Sequence, residues 1–548
     1  RFFDMDTLTV QGKGVGVVIS PWNFPIAIPC GGIVAALAAG NTAIFKPASD
    51  AVLVAWELCQ CFWRAGISKN VLQFLPCSGE SAGSHLVAHN DVDFVILTGG
   101  TETGMAMLQQ KPKMFLSAET GGKNATIVTA MADRDQAIKN VIYSAFGNSG
   151  QKCSATSLLI LEREIYHDDN FKRQLVDAAR SFKVGSSWDF SNKMGALIRP
   201  PSGDLERAMT TLEPAETWAL QPKMVYDNPH MWTPGIKYNV QSGSLTHMTE
   251  FFGPLLGVMP ADNLDHAITL VNQTGFGLTS GLESLDAREQ TNWKKAVKAG
   301  NLYINRGTTG AVTLRQPFGG MGKSALGPAI KAGGPNYVSQ FMNITDIAPP
   351  KIATIRKEHA LLRMVLSWRR IIIWNRLKPY SEDVDRTIRA VKSYLYHWEQ
   401  EFSQEKDFFH LRGQDNIHRY LPLGAIGVRL HPDDSLFDTL ARIAATRITG
   451  NTAVISLPED LDNPVTAFLS SIQGRELLGS SSVYRQSDEE LVASMAVLQR
   501  IRYAAPERVP EAVLKAAANK GYYIVRQPVL MEGRLELIHY VQNQSICH

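Results

Sequence analysis

Short apolar runs alternate with helix-like segments near the start of the chain. Four of these runs are bounded by turn residues and have the pattern of buried parallel strands, at 15–20, 42–46, 71–76 and 94–99. Between them, segments with the apolar spacing of helices occur at 27–40 and 51–66. Strands and helices that alternate in this way predict a doubly wound α/β region built on a parallel sheet.

Three turn-rich loops follow the carboxyl ends of the predicted strands. They read SPWNFP (20–25), KPAS (46–49) and TGGTETG (98–104). In a doubly wound sheet, ligands bind in the crevice beyond the carboxyl ends of the strands. We therefore expect the three loops to converge on one binding site.

A second α/β pattern follows and extends to about residue 310. It contains strand-like runs at 124–129, 157–162 and 301–305 and a helical segment at 134–147. After it, the stretch with Pro and Lys at 346–360 predicts a linker. Beyond the linker, amphipathic helices are predicted at about 361–400. A third α/β pattern is predicted to begin with the run at 421–430.

A basic and aromatic run at 363–378 has two interpretations. It could form a helix on a membrane surface, or a helix that packs on a neighbouring domain with Arg and Lys at its edge. The second is favoured, because no apolar segment is long enough to span a bilayer and the composition is that of a soluble protein.

Two distant parts of the chain resemble each other. Residues 14–50 and 424–460 each contain a glycine-containing apolar strand, a proline-started loop, a helix, the tetrapeptide GNTA and a second apolar strand. The order of these features predicts a duplicated strand–helix–strand unit. The units predicted for the whole chain are 1–119, 120–310, 311–345, 346–410 and 411–548.

Composition narrows the class of protein. With 548 residues, 45% of them hydrophobic and 20% charged, the chain predicts several globular domains. A formal charge of +3 gives no indication of nucleic-acid binding. The six cysteines contain no CxxC pair that would suggest a zinc site or a redox disulfide, and the first residues lack a signal-peptide pattern. We expect a cytoplasmic protein without a metal site.

One cysteine has an unusual setting. In 147-GNSGQKCSAT-156, Cys153 lies among glycines, small polar residues and a lysine, whereas a structural cysteine usually has apolar neighbours. Glycines allow the backbone to bend closely around a ligand, and nearby amides could lower the thiol pKa. These ten residues alone leave a nucleophile and an ordinary loop cysteine equally open.

Six motifs in order decide between these alternatives. Over about residues 10–345 the chain resembles the aldehyde dehydrogenase superfamily, and the motifs are 21-PWNFP-25, 46-KPAS-49, 119-ETGGK-123, 150-GQKCSA-155, 250-EFFGP-254 and 317-PFGG-320. The resemblance implies an α/β aldehyde dehydrogenase fold, with a Rossmann-like cofactor domain and an α/β catalytic domain. It also implies that Cys153 is the nucleophile.

The resemblance assigns three catalytic roles. The Cys153 thiolate would attack the aldehyde, and the oxyanion would be bound by the Asn23 side-chain amide and the Cys153 backbone N–H. Glu119 matches the general base that activates water against the thioester. Thr120 departs from the family, because many relatives have leucine at this position.

The resemblance also implies a cofactor site for NAD. Lys46 and Glu250 would bind the two ribose hydroxyl pairs, and Phe252 would lie against the nicotinamide. The residues expected at the pyrophosphate are Gly99, Gly100 and Thr101. Many relatives carry serine in place of Gly100, so we expect one side-chain contact to the phosphate to be missing here. NAD-preferring relatives often carry glutamate in place of Ser49, and its absence leaves NADP open, although the resemblance favours NAD.

The substrate is indicated by the segment 306–338, which is similar to the substrate loop of the glutamate-γ-semialdehyde (pyrroline-carboxylate) dehydrogenases. This similarity implies that Gly310, Ala311 and Ser154 bind the substrate's α-carboxylate and that Phe318 packs on its aldehyde chain. We expect oxidation of L-glutamate γ-semialdehyde to glutamate. The alternatives are another aldehyde or semialdehyde substrate, or an inactive scaffold.

The last part of the chain resembles the extra domain of the long proline utilization A proteins, at 413–424 and 533–546. This implies an upstream proline dehydrogenase domain, with FAD, outside the present sequence, and a homo-oligomer. We expect the 411–548 unit to be a degenerate Rossmann-like copy. Asp434 or its neighbour stands where the first copy has Asn23, and Ser456 or Leu457 stands where it has Lys46.

Overall fold

The computed structural model describes residues 6–352, 359–374 and 380–548. In its first part strands and helices alternate, as the apolar pattern predicts. The elements are β1 (Leu8–Gly12), β2 (Val15–Ile19), α1 (Ala27–Ala38), β3 (Thr42–Lys46), α2 (Val52–Arg64), β4 (Leu72–Phe74), α3 (Ser84–Ala88), β5 (Phe94–Thr98), α4 (Thr101–Gln110) and β6 (Phe115–Glu119).

Five of these strands form the parallel part of the first sheet, in the order β4-β3-β2-β5-β6, and a short antiparallel strand at 325–326 extends it beside β6. Val17, Phe45 and Val95 on its strands are fully buried, as expected for a sheet covered on both faces. Because the strands are parallel, the loops after β2, β3 and β5 leave the same edge of the sheet. The predicted convergence of these loops is confirmed.

A second group of elements follows. They are β7 (Asn124–Val128), α5 (Arg134–Phe146), β8 (Thr156–Glu162), α6 (Arg163–Tyr166), α7 (Asp169–Arg180), α8 (Gly203–Thr210), β9 (Thr217–Leu220), β10 (Met224–Val225), β11 (Asn228–Trp232), β12 (Gly235–Tyr238), α9 (Leu245–Met248), β13 (Leu255–Ala261), α10 (Leu264–Gln273), β14 (Phe276–Gly277), β15 (Thr279–Glu283), α11 (Ala287–Ala296), β16 (Asn301–Ile304), β17 (Met321–Gly322), β18 (Ala325–Leu326) and β19 (Met342–Asp346).

A third group completes the chain. It consists of α12 (Ala360–Trp374), α13 (Ser381–His397), β20 (Lys406–Asp407), β21 (Asn416–Pro422), β22 (Ala425–Arg429), α14 (Leu436–Ile448), β23 (Thr452–Leu457), α15 (Pro464–Ser470), α16 (Ile472–Leu478), β24 (Ser482–Arg485), α17 (Asp488–Ser494), β25 (Arg500–Arg502), α18 (Glu511–Lys520), β26 (Ile524–Val525), α19 (Gly533–Glu536) and β27 (Val541–Cys547).

The sequence repeat corresponds to a repeated sheet. Strands of the third group form a five-stranded parallel sheet in the order β24-β23-β22-β25-β26, which matches the order β4-β3-β2-β5-β6 of the first sheet. Asn41 accepts a hydrogen bond from the Gly14 N–H, and Asn451 accepts the equivalent bond from Gly424. The two GNTA motifs therefore hold the same turn in both copies.

The central sheet connects the second and third groups. Its ten strands lie in the order β20-β21-β27-β16-β15-β7-β8-β13-β12-β9. β27 pairs with β16 in parallel and with β21 in antiparallel fashion. The predicted 411–548 unit therefore contributes to two sheets, which the apolar pattern alone does not indicate.

The basic and aromatic run packs inside the molecule over its described part. On α12, the side chains of Leu362, Val365 and Trp368 are buried, and the Trp368 ring lies 5.5 Å from that of Phe468. The packed-helix interpretation is confirmed for this part. The predicted linker and helix also include residues 353–358 and 375–378, which lie outside the described residues. Elsewhere in the described chain, as here, no helix has the length and apolar character to cross a membrane.

Candidate active site

A tight turn presents Cys153. Before it, Asn148 and Ser149 adopt left-handed backbone angles, with φ of 56° and 55°. Gly150 has φ of 69°, and a Cβ on it would lie 2.2 Å from the Gly253 carbonyl oxygen. Glycine is required there because any side chain would collide with this backbone. The turn therefore brings Cys153 close to the EFFGP loop.

The Cys153 thiol is surrounded by groups that act on its charge in opposite directions. Burial, together with the carboxylates of Glu250 and Glu119, raises the pKa of the thiol to about 12. The backbone N–H groups of Ser154 and Cys153 lower it. Asn124 fixes the turn by donating to the Cys153 carbonyl oxygen at 2.6 Å. The thiol is therefore protonated at neutral pH, and two amides point at the sulfur.

Asn23 lies beside the same turn. Its Nδ2 donates to the Gln151 carbonyl oxygen at 3.1 Å, which also accepts from Asn148 at 3.2 Å. The Gln151 side chain is itself held, because its Oε1 accepts from the Ile198 N–H at 3.0 Å. Asn23 is thus an amide donor fixed next to the cysteine, as the PWNFP and GQKCSA motifs predict.

Glu119 ends β6 and faces this site. Its Oε2 accepts a hydrogen bond from the Gly320 N–H at 2.8 Å. Burial raises the pKa of its carboxyl group to about 8, while the Gly320 N–H and the charge of Lys331 lower it. Glu119 and Cys153 interact electrostatically. A carboxyl group that titrates near neutral pH beside a thiol has the proton affinity of a general base.

Lys46 lies at the carboxyl end of β3, in the predicted crevice. It is 8% exposed, and its Nζ donates to the Pro47 carbonyl oxygen at 3.3 Å. Ser49 is exposed on the loop that follows. The buried Lys46 and the exposed Ser49 therefore lie at the carboxyl end of β3, on the edge of the first sheet where ligands are expected.

The start of α4 fits the pyrophosphate of a dinucleotide. Gly100 precedes this ten-residue helix and makes no side-chain cap, which leaves the first N–H groups of the helix available to an anion. A Cβ on Gly100 would meet only Thr103 Oγ1, at 3.8 Å, which leaves room for a phosphate. Thr101 opens the helix. Gly99 differs from its neighbours, because its N–H already donates to the Glu119 carbonyl oxygen at 3.1 Å.

Glu250 and Phe252 occupy one loop, which contacts the ETGGK turn. Glu250 Oε1 accepts from the Gly122 N–H at 2.8 Å. Burial raises the pKa of Glu250 to about 7, while the Gly122 N–H and Lys123 lower it. Phe252 has a left-handed φ of 56° and packs edge-on against Trp22, with ring centres 5.7 Å apart. The loop thus connects the PWNFP and ETGGK motifs.

The four predicted substrate residues lie on two segments. Gly310 and Ala311 are exposed on the loop after β16, and Gly310 has φ of 145°. Ser154 is buried next to the cysteine, and its carbonyl oxygen accepts from Thr308 Oγ1 at 3.0 Å. Phe318 is half-buried. The Thr308 contact joins the substrate loop to the cysteine turn.

The C-terminal strands support the substrate loop, which the sequence reasoning missed. Gln316 Nε2 donates to Asn416 Oδ1 at 3.0 Å and to Cys547 Sγ at 2.7 Å. Tyr303 Oη donates to the Gly310 carbonyl oxygen at 2.9 Å. The contacts of Gln316 with Asn416 and Cys547 gave no signal in the sequence, because they depend on β21 and β27 joining the central sheet.

Two buried lysines near the site were also missed. Lys123 is 3% exposed and lies 4.6 Å from the centre of the Phe251 ring, and Lys331 is 1% exposed. A buried lysine is costly and usually has a specific role. The available signal was their position beside glycines, in GGK and KAGG.

Comparisons with known proteins identify the family of the chain. The sequence model described as the aldehyde dehydrogenase family matches residues 5–347. The 1-pyrroline-5-carboxylate dehydrogenase of Geobacillus thermodenitrificans (strain NG80-2) is 36% identical over 349 residues, covering 61% of this chain and 66% of the relative. That of Bacillus subtilis (strain 168) is 35% identical over 341 residues, covering 61% and 65%.

Solved structures give the same result. Proline Utilization A (PutA) from Corynebacterium freiburgense is 37% identical, with a TM-score of 0.84, over 99% of this chain and 51% of that protein. A 1-pyrroline-5-carboxylate dehydrogenase from Thermus with bound NAD is 31% identical, with a TM-score of 0.57, over 62% and 67%. The chain thus spans about two thirds of the curated relatives' length and about half of that PutA.

Proposed function

The chain belongs to the aldehyde dehydrogenase family, and we propose that it oxidises L-glutamate γ-semialdehyde to L-glutamate, the second step of proline catabolism, with NAD as the hydride acceptor. The observation that carries the proposal is the grouping of Cys153, Asn23 and Glu119 about one turn. The relatives named 1-pyrroline-5-carboxylate dehydrogenase support the choice of substrate, because that compound is the cyclic form of the semialdehyde.

The first step takes place at Cys153. After the thiol loses its proton, the sulfur forms a bond to the aldehyde carbon, and the carbonyl electron pair moves onto the oxygen. Asn23 Nδ2 and the Cys153 N–H are proposed to donate to this oxyanion. Because the thiol pKa lies near 12 even with two backbone amides directed at the sulfur, a nearby base is needed to reach the thiolate.

The crevice of the first sheet is proposed to hold the cofactor. NAD, when bound, supplies the acceptor for the hydride that leaves the Cys153 adduct as the adduct becomes a thioester. The residues proposed to hold it are Lys46 and Glu250 at the riboses, Gly99, Gly100 and Thr101 at the pyrophosphate, and Phe252 at the nicotinamide. NADP is an alternative, because Ser49 carries no charge that would repel a 2′-phosphate.

Glu119 is proposed to release the product. Its carboxylate takes a proton from water, and the oxygen of that water attacks the thioester carbonyl. The C–S bond then breaks, and Cys153 leaves as a thiolate. Because the pKa of Glu119 lies near 8, this step should accelerate as the pH rises toward that value.

The substrate's carboxylate is proposed to bind at Gly310, Ala311 and Ser154, with Phe318 against the aldehyde chain. Support comes from the exposed backbone of the first two residues and from the contact between the loop and the Ser154 segment. The match of this chain to about half of the length of a PutA supports a further proposal about the rest of the polypeptide. A proline dehydrogenase unit of the same polypeptide, with its own FAD, would supply the semialdehyde in the cytoplasm, within a homo-oligomer.

Two aldehydes of equal length test the carboxylate site. We would measure NADH formation with 5-oxopentanoate, which keeps the carboxylate and lacks only the amine of the substrate, and with pentanal, which lacks both. Each unpaired polar group costs about 1–3 kcal/mol, so kcat/KM for pentanal should be about 10- to 100-fold lower or more. L-Glutamate γ-semialdehyde should be the best of the three.

The Cys153→Ala variant serves as the control and should form no NADH with any aldehyde while still binding NAD. Equal kcat/KM for 5-oxopentanoate and pentanal would contradict the carboxylate site. Absence of NADH formation by the wild-type chain with every aldehyde would contradict the proposed reaction.

A further inference from the structure

Lys331 is a buried lysine in the segment that follows PFGG. Its Nζ donates to the Gly319 carbonyl oxygen at 2.7 Å and to Asn301 Oδ1 at 2.8 Å. Asn301 begins β16, and its Nδ2 donates to the Leu278 carbonyl oxygen at 2.9 Å and to that of Gly319 at 3.1 Å. The lysine is therefore held in a fixed position against a strand of the central sheet.

The acceptor of Lys331 belongs to the same peptide group that binds Glu119. The Gly319 C=O and the Gly320 N–H form one planar amide, so they point in opposite directions. On one side the C=O accepts from the Lys331 Nζ, and on the other the N–H donates to Glu119 Oε2 at 2.8 Å. A cation bound to the oxygen polarises the amide and strengthens donation by its N–H.

Gly319 permits this close contact. A Cβ on Gly319 would lie 2.7 Å from Glu119 Oε1 and 3.1 Å from Lys331 Cγ. No other residue could stand between the carboxylate and the lysine stem without displacing one of them. The glycine pair of PFGG thus brings the lysine and the proposed base to opposite sides of one peptide group.

The charges around this arrangement favour an interaction between the two side chains. Burial lowers the pKa of Lys331 to about 7, and Glu119 opposes that shift. Two oxygen acceptors at Nζ also favour the ammonium. The charge of Lys331 also lowers the pKa of His418, and the charge of Glu119 raises the pKa of Cys153 and of Tyr337.

We infer that Lys331 is a positioning residue for the base: through the Gly319–Gly320 peptide it holds the Glu119 carboxyl group in place and favours its ionised form, which thioester hydrolysis requires. The inference rests on the proposed function, because it gives Lys331 a role in the step assigned to Glu119. A purely structural lysine would stabilise the fold without changing how Glu119 titrates.

Three variants separate these roles. Lys331→Met fills the same space without charge, and the Gly319 oxygen keeps its bond from Asn301, so the variant should fold. Lys331→Gln retains an amide donor but has no charge. Lys323→Met is the matched control in the same segment, since the Lys323 Nζ donates to the Thr274 carbonyl oxygen at 3.2 Å instead.

The first measurement needs no substrate. Infrared difference titration, with Glu119→Gln as the reference, follows the ionisation of the Glu119 carboxyl group. Loss of the cation should raise its midpoint by about one pH unit or more in Lys331→Met and Lys331→Gln, and leave it unchanged in Lys323→Met. An unchanged midpoint in a folded Lys331 variant would overturn the inference.

The second measurement follows NADH formation over pH with L-glutamate γ-semialdehyde. In Lys331→Met the pre-steady-state burst should persist, while steady-state turnover at pH 7 falls about tenfold for each unit of pKa shift. The gap between the two proteins should narrow as the pH rises above 9, because Glu119 becomes ionised in both. A loss of turnover that is equal at all pH values would overturn the inference. If the wild type forms no NADH, the proposed function fails, and the infrared titration still decides the role of Lys331.

Discussion

The first and the C-terminal parallel sheets have the same strand order but present different chemistry at their carboxyl edges. The spacing that relates Gly14 to Gly424 and Asn41 to Asn451 also relates Lys46 to Ser456. In the first sheet, Lys46 places an amine at the carboxyl end of β3. In the second, Ser456 is fully buried, and its Oγ accepts from Arg429 at 2.9 Å.

The phosphate end of the crevice differs in the same way. Strand pairing places Ala505 and Pro506 where the first sheet has Gly99 and Gly100. Proline has no N–H to donate and fills the space that glycine leaves open. The register of β26 places Gln527 at the position of Glu119. A shared fold therefore fixes where side chains stand, and the residues at the strand ends decide the chemistry.

The largest expected effect comes from placing glutamine, the residue of the C-terminal sheet at position 527, at the equivalent position 119 of the first sheet. Glu119→Gln should allow one round of hydride transfer and then stall at the thioester, because an amide cannot take a proton from water. Steady-state turnover should fall by about 10²- to 10⁴-fold. Stopped-flow absorbance at 340 nm would show an NADH burst of about one equivalent.

The pH profile provides the control for Glu119→Gln. With a pKa near 8, the wild-type carboxyl group gains activity as the pH rises through that value, since only the ionised form is a base. The variant should lack this rise. Normal steady-state turnover by Glu119→Gln would show that another group hydrolyses the thioester.

A second prediction concerns a buried ion-pair cluster around Asp434 in the C-terminal copy. Asp434 is buried and pairs with Arg442, and its Oδ1 lies 2.7 Å from Arg508 Nη1. Asp434→Ala would leave two arginines without this partner, so the free energy of unfolding should fall by about 3–5 kcal/mol. Removing the neighbouring exposed carboxylate, in Asp433→Ala, should change it by less than about 0.5 kcal/mol. Chemical denaturation of both variants measures the difference, and equal losses would contradict a structural role for Asp434.

The sequence alone predicted the two sheets and the loops that form the site. Local apolar runs predicted the strands, and the motifs placed Cys153, Asn23 and Glu119 together. It did not predict the support of the substrate loop by Asn416 and Cys547. That contact requires the last strand to pair with β16 of the central sheet, and such long-range pairing leaves no local pattern.

The site also contains features that only packing defines. The sequence expectation gave Asn23 the alternative counterparts Asp434 or its neighbour, and constant spacing selects the exposed Asp433. Asp434 instead belongs to a buried ion-pair cluster. Likewise, Lys331 has no motif of its own, and its relation to Glu119 depends on one peptide group between them.

The smallest expected effect sharpens the comparison at the cofactor. Hydrogen bonds to a charged group contribute about 1.5–3 kcal/mol, so Lys46→Met should weaken NAD binding about 10- to 100-fold. Ser456→Ala, at the equivalent position of the second sheet, should leave it unchanged, because the Ser456 Oγ is already bound to Arg429. Calorimetric titration of wild type should give one NAD per chain. A second NAD, lost in Ser456→Ala and retained in Lys46→Met, would contradict this comparison. It would show that the C-terminal crevice binds a dinucleotide even though Pro506 has no N–H to donate to a phosphate.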